Sequence, residues 1–186
     1  MIEIKRGWKI ATFDIETTSL EAEYGYMVCV VVRDFHTGRD YTIRIDDKEN
    51  PDHSSDKWVV EQTLKRLSEY DLLVSWNGQL FDKPFINTRA ILNGLRTPLG
   101  KFYHRDLLLV ARARFRVYGN KLMYWRRRLF GKSDKTHTTP KLKNDTIKGK
   151  KYAIDFVVNH CRIDVKETEE LYRKFLPYLS ENVKKS

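Results

Sequence analysis

The chain has 186 residues, 41% of them hydrophobic, and a formal net charge of +10 at pH 7. This length and composition suit one domain over residues 1–186 with a single apolar core. No apolar run approaches the roughly 18 to 20 residues that cross a bilayer, and residues 1–6 lack the apolar segment of a signal peptide, so we expect neither secretion nor a membrane partner.

The cysteines indicate the redox environment of the protein, and the distribution of charge indicates the kind of partner that it binds. Cys29 and Cys161 lie in apolar segments without metal-ligand spacing, which indicates a reduced, intracellular protein, either cytoplasmic or nucleoid-associated. Residues 101–151 hold 16 Lys and Arg against 3 Asp and Glu, whereas the rest of the chain holds 19 against 22. One segment therefore carries the basic excess, as a polyanion-binding surface would, although a plain solvated surface has the same composition.

Hydrophobic patterning predicts three strands, followed by strands that alternate with helices. The predicted strands are residues 8–15, 26–35, 40–46, 72–76 and 100–106. The predicted helices are one that begins after the candidate N-cap Asp56, then 82–93, 107–116 and 152–179, with a basic, irregular insertion of loops around a short helix at about 117–150. An antiparallel meander with a turn at 36–39, then parallel strands, gives an α/β fold with a mixed five-stranded sheet flanked by helices.

Three carboxylates fall where predicted strands end. Asp14 and Glu16 are two residues apart on the first strand, so their side chains share a face; the plain alternative is a strand end that turns into solvent. Asp82 stands where a buried strand gives way to a helix, which is also the place of an ordinary N-cap. Because binding sites of α/β sheets lie at the carboxyl ends of parallel strands, these acids are candidates for one site.

A fourth carboxylate lies on the long predicted helix. His160 and Asp164 are four residues apart and share one face. A surface His/Asp pair is the plain alternative, but apolar neighbours indicate a largely buried helix, where an Asp requires a partner. Clustered carboxylates are costly to desolvate unless a cation neutralises them, and Mg²⁺ and Mn²⁺ prefer oxygen ligands. Acids beside a basic segment therefore indicate a metal ion beside a polyanion.

Three segments together resemble the motifs of the DEDD, or DnaQ-like, superfamily of 3′–5′ exonucleases, which has a ribonuclease H-like fold. The segments are 13–18, 77–86 and 160–168, and their order and spacing agree along residues 8–175. The second has the form found in proofreading domains of family B DNA polymerases. One position departs from the pattern: three residues separate His160 from Asp164, a spacing at which the family usually has Tyr.

The resemblance implies a metal-dependent 3′–5′ exonuclease with two divalent ions, Mg²⁺ or Mn²⁺, that acts on single-stranded DNA in preference to RNA. The implied metal ligands are Asp14, Glu16, Asp82 and Asp164, with His160 assisting the attacking water. The same resemblance places Thr18, Leu20, Asn77 and Phe81 against the terminal nucleotide. From the basic stretch itself, whose cations alternate with aromatic residues, we expect phosphate binding by Arg126, Arg127 and Arg128.

Other functions remain open at this point. A structure-specific endonuclease or an RNA-trimming nuclease uses the same fold, and a non-catalytic nucleic-acid-binding module is a further alternative, although the four acids together favour an enzyme. Because 186 residues leave no room for a polymerase domain, a proofreading role would require a polymerase, or another replication or repair protein, as a separate partner.

Overall fold

The computed structural model describes residues 7–95, 103–133 and 139–179. Its strands are β1 (Ile10–Thr17), β2 (Met27–Asp34), β3 (Asp40–Arg44), β4 (Leu72–Ser75) and β5 (Tyr103–Asp106). They form a sheet in the order β3-β2-β1-β4-β5. β1, β2 and β3 pair antiparallel, whereas β1 with β4 and β4 with β5 pair parallel. The predicted mixed five-stranded sheet is therefore confirmed.

Six α-helices connect and cover the strands within the described ranges. They are α1 (Lys57–Leu67), α2 (Asp82–Leu92), α3 (Leu107–Arg114), α4 (Leu122–Phe130), α5 (Pro140–Ile147) and α6 (Lys151–Phe175). The last predicted helix ends four residues early, because a short 3₁₀ turn occupies Leu176–Tyr178. None of the described helices is long and apolar enough to cross a membrane.

The insertion is more regular than the sequence predicts, because it holds the two helices α4 and α5. α4 ends at Gly131, whose φ of +76° is the left-handed conformation that favours glycine. α5 begins with Pro140 in its first turn, and the Thr139 side chain accepts a hydrogen bond from the Leu142 N–H. Residues 100–102 of the last predicted strand and residues 134–138 of the predicted insertion lie outside the described residues, as do residues 1–6, which were considered for a signal peptide.

Two apolar clusters hold these elements together. The larger is formed by β1 and β2 with the inner faces of α1, α2 and the first half of α6. The smaller joins α3 and α4 to the last turns of α6. Trp125 is 6% exposed, and Phe115 packs edge-on against it with ring centroids 5.2 Å apart. These two aromatic residues of the basic segment therefore belong to the core and not to a nucleic-acid surface.

Asp56 takes the N-cap position of α1 that the sequence predicts, but its side chain forms a buried junction instead of a capping bond. Its carboxylate makes no capping bond to α1, because it accepts hydrogen bonds from three other partners. These are the Met27 N–H (2.9 Å), the Arg89 guanidinium (2.8 Å from each of two nitrogens) and the Asn93 amide (2.9 Å). One fully buried charge thus ties β2 to α2.

Replacement of Asp56 with Ala is expected to lower the unfolding free energy by about 3 kcal/mol or more, because it leaves the Arg89 charge in a half-buried place without its partner. Urea unfolding measures the change. The control is Glu61→Ala, which removes an exposed pair with Lys65 at 3.2 Å and should change the free energy by less than about 0.5 kcal/mol. Equal losses for both variants would contradict the buried junction.

Candidate active site

The acids predicted from the sequence converge on one cavity. It has a volume of about 860 Å³, and its lining includes the four carboxylates and His160. Asp14 and Glu16 point to the same face of β1, Asp82 begins α2 after the loop that follows β4, and Asp164 lies on α6. Because β1 and β4 are parallel neighbours, their carboxyl ends open at the same edge of the sheet, where the cavity lies.

Hydrogen bonds and close approaches connect the elements that carry the acids. Asp82 Oδ1 accepts a hydrogen bond from the Ile15 N–H at 3.0 Å, which attaches the start of α2 to β1 between Asp14 and Glu16. The Cys161 thiol donates to the Asp14 carbonyl oxygen at 3.2 Å and reaches its Oδ2 at 3.6 Å. β1 therefore has direct contacts to both helices of the site.

His160 lies between two of the acids. Its Nε2 is 3.7 Å from Glu16 Oε1 and 3.8 Å from Asp164 Oδ2. The residue is 8% exposed, and it still lines the cavity. In spite of its departure from the family's spacing, the imidazole thus faces the same space as the carboxylates, where it can exchange a proton with a water molecule.

Asp82 is the most deeply buried of the four acids, at 2% exposure. Burial raises its pKa to about 7, the hydrogen bond from the Ile15 N–H opposes that rise, and the nearby Asp106 carboxylate adds to it. A carboxylate in this position is costly to ionise unless a cation stands beside it.

The donor set fits a hard divalent cation by its chemistry, because it consists of carboxylate oxygens, one of them desolvated. Among the residues that the structure describes, no three His, Cys, Asp or Glu side chains already stand close enough together to form a metal-binding cluster. The carboxylates share a cavity without a ready-made ligand shell, so their role as metal ligands stays a prediction.

The residues predicted to contact a terminal nucleotide also line this cavity: they are Thr18, Leu20, Asn77 and Phe81. Leu20 is 80% exposed, so an apolar side chain stands in solvent beside the acids. Phe81 packs against Phe85 with ring centroids 5.7 Å apart. The cavity therefore combines charged and apolar walls, and their contact with a nucleotide stays a prediction.

The loop between β4 and α2 is held by residues that the sequence reading missed. The Asp106 carboxylate accepts hydrogen bonds from the N–H groups of Asn77 (3.0 Å) and Gln79 (2.9 Å). Asn77 has a φ of +72°, and this clamp keeps it in that left-handed conformation. The signal in the sequence was a polar residue at the end of each of these two strands, Ser75 in β4 and Asp106 in β5, which the register sets opposite each other.

Ser75, the last residue of β4, also holds this loop. Its hydroxyl accepts a hydrogen bond from the Gly78 N–H at 3.1 Å and lies 2.9 Å from His104 Nε2. A Cβ at Gly78 would stand 2.3 Å from that hydroxyl oxygen, so only glycine allows this approach. Burial lowers the pKa of His104 to about 4, which keeps its ring neutral under the loop.

The three neighbouring arginines do not form one surface, which corrects the sequence-based prediction. Arg126 is 5% exposed; it pairs with Glu170 and with Glu167, the latter at 3.4 Å, so it is not available to phosphate. Arg126 lies four residues after the buried Leu122, which places it on the inner face of α4. Arg127 and Arg128 are exposed, but they are not among the residues that line the cavity.

Comparison with known proteins adds the family. The sequence model of the RNase H superfamily matches residues 11–176. A search of curated protein sequences found no match.

Among solved structures, the fold is similar to that of the family B DNA polymerase from the hyperthermophilic archaeon Pyrobaculum calidifontis, with a TM-score of 0.69 and 17% sequence identity. The similarity covers 92% of this chain and 25% of the polymerase chain. At this identity the likeness shows the fold, and the chain spans about a quarter of that polymerase's length.

Asp82 predicts a pH dependence of stability. Its pKa is raised from 3.8 to about 7 by burial, so the stability contributed by its protonated form is complete below pH 3.8 and is lost as the pH rises through about 7. With a chelator present, we expect wild-type protein to lose unfolding free energy relative to Asp82→Asn between about pH 5 and about pH 8, as measured by urea unfolding.

Wild-type protein must be compared with Asp82→Asn because the titration of His104 changes the unfolding free energy in the opposite direction. Its pKa is lowered to about 4 by burial, so its contribution is present above 6.5, the usual pKa of histidine, and is lost as the pH falls. Both proteins share this effect, and the difference between them isolates Asp82. A difference that does not change with pH would contradict the buried, protonated carboxyl.

Proposed function

The chain belongs to the RNase H superfamily, and on that premise we propose that it is a metal-dependent 3′–5′ exonuclease that acts on the 3′ end of single-stranded DNA. Superfamily membership supports a nuclease-type function on a nucleic-acid substrate. The observation that carries the finer proposal is the convergence of Asp14, Glu16, Asp82 and Asp164 on one cavity. We take residues 1–186 as one nuclease domain in this proposal, with 117–150 as its basic insertion.

Nucleases of this superfamily generally use divalent metal ions. In our proposal the four carboxylates Asp14, Glu16, Asp82 and Asp164 would hold two divalent ions, Mg²⁺ or Mn²⁺, as ligands. Such ions supply charge neutralisation and polarisation of phosphodiester oxygens. The desolvated Asp82 supports this assignment, because a bound cation would favour the ionised form that burial opposes.

The remaining groups act on water and on the substrate. His160 takes a proton from the attacking water at Nε2, the atom that lies near Glu16 and Asp164. The water oxygen forms a bond to phosphorus, and the bond from phosphorus to the 3′ oxygen of the preceding nucleotide breaks. That oxygen leaves as a 3′ hydroxyl after it gains a proton, and the terminal nucleotide is released with a 5′ phosphate.

The size of the cavity supports a strand end as the substrate. A volume of about 860 Å³ lies in the range of about 300 to 1,000 Å³ for clefts that enclose small ligands, which suits one or two nucleotides and not a duplex. In this proposal Thr18, Leu20, Asn77 and Phe81 contact the terminal nucleotide, and the protein partner is a polymerase or another replication or repair protein.

Asp14→Ala is expected to abolish metal-dependent degradation while the protein stays folded, because the variant would lack a proposed metal ligand and Asp14 is only half-buried at the cavity. The measurement uses 5′-labelled single-stranded DNA, duplex DNA and RNA with Mg²⁺, Mn²⁺ or chelator. Wild-type protein should shorten single-stranded DNA by one nucleotide at a time from the 3′ end.

The control is Glu49→Ala, which removes an exposed carboxylate on a surface loop and should leave degradation unchanged. Full activity of Asp14→Ala would refute the assignment of the site. Internal cuts would support the structure-specific endonuclease instead, and preferential shortening of RNA would support the RNA-trimming nuclease. Binding without any cleavage by wild-type protein would support a non-catalytic module.

A further inference from the structure

The cavity has a cationic wall that the carboxylates do not neutralise. Arg112, in the last turn of α3, and Lys121, immediately before α4, both line the cavity. Both are exposed. Within the described ranges, neither side chain makes a hydrogen bond, and neither stands within 4.0 Å of a carboxylate oxygen. Lys143 of α5 also lines the cavity, so three positive charges face the same space as the four carboxylates, and Arg112 and Lys121 do so without pairing with them.

This wall is held in place by contacts of neighbouring residues with the core and not by contacts of the Arg112 and Lys121 side chains. Asn120, which also lines the cavity, accepts a hydrogen bond through Oδ1 from the Trp125 indole N–H at 3.2 Å. Trp125 is buried, and the ion pairs of Arg126 with Glu167 and Glu170 hold α4 against α6, the helix that carries Asp164. The buried arginine thus positions the Lys121 side of the wall instead of binding the substrate itself.

The chemistry of the wall suits a polyanion. A nucleic-acid strand that approaches four carboxylates is repelled, and cations beside them offset that repulsion. Guanidinium and ammonium groups bind phosphate oxygens without regard to sequence, Arg in a bidentate manner and Lys as a point charge. Between them in the chain, the ring of Tyr118 is fully exposed, and a solvent-exposed aromatic ring suits stacking on an unpaired base.

We propose that Arg112 and Lys121 bind the backbone phosphates of a single-stranded nucleic acid next to the bond that is cut. The identity of that bond rests on the proposed function, whereas the binding itself does not require hydrolysis. The proposal assigns phosphate binding to the cavity wall, and it differs from the sequence-based expectation, which assigned it to the arginines of α4.

Two double variants separate these assignments, because each removes two exposed cations from the basic segment. Arg112→Ala with Lys121→Ala removes the wall, and Arg127→Ala with Arg128→Ala removes the same charge from α4 outside the cavity. Each pair is introduced into the Asp14→Ala protein, so that the strand is not degraded. Fluorescence anisotropy of a labelled single-stranded oligonucleotide then gives Kd over a series of salt concentrations.

Loss of the wall should weaken binding roughly tenfold and reduce the slope of log Kd against log salt by about 1.4, since each phosphate contact to a single strand contributes about 0.7. The α4 pair should weaken binding less and leave the slope closer to that of the parent. In the protein that retains Asp14, loss of the wall should raise KM roughly tenfold with a much smaller change in kcat.

Equal losses for the two pairs, or an unchanged slope without the wall, would overturn the proposal. The same loss of affinity for a blunt duplex would overturn its single-strand part. These outcomes are distinct from failure of the proposed function, which would appear as absence of cleavage by wild-type protein in every metal. Thermal unfolding of both pairs checks folding, which exposed side chains should leave unchanged.

Discussion

The burial of negative charge is the constraint on which this structure depends. Asp82 is 2% exposed, and its carboxylate is held by the backbone of β1 through the Ile15 N–H. That one hydrogen bond sets the start of α2 beside the two acids of β1. A desolvated carboxylate is expensive, and Asp82 shares its cavity with Asp14, Glu16 and Asp164, so the cavity has the oxygen-rich chemistry that a hard divalent cation prefers.

The surroundings of the site show how the fold supports this arrangement. Asp106 holds the loop before α2 from one side through the N–H groups of Asn77 and Gln79. From the other side, α6 contributes a long face of buried residues and the thiol contact of Cys161 to Asp14. Buried polar groups with satisfied hydrogen bonds restrict the backbone to one arrangement, which is what a site with several distant ligands requires.

The order of the elements and the position of the acids could be predicted because both are local properties. Alternating or continuous apolar runs mark strands, and helical spacing marks α6. Asp14 and Glu16 had to share a face because side chains alternate along a strand. His160 and Asp164 had to share a face for the corresponding reason in a helix. The approach of Asp14 and Glu16 to Asp82 followed from the parallel pairing of β1 with β4, whose carboxyl ends meet at one edge of the sheet.

The side chains that were misread are those whose partners lie far away in sequence. Asp56 precedes a helix, as a cap does, yet it binds Arg89 and the Met27 N–H because these lie nearby only in the folded chain. Arg126 lies in a run of three arginines, so composition alone suggests an exposed residue. It is buried on the same face of α4 as Leu122 and Trp125. The two helices of the insertion were predicted only as loops around one short helix.

The sequence by itself determined the order of the elements along the chain, the three acids at strand ends with a fourth on the long helix, and the basic character of one segment. Only the tertiary structure decided which cations line the cavity and which form buried ion pairs. The physical reason is that periodicity specifies the faces of an element, whereas the packing of α4 against α6 specifies what each face meets. Arg112 and Lys121 face the acids, and Arg126 is buried between glutamates, although all three belong to the same basic segment.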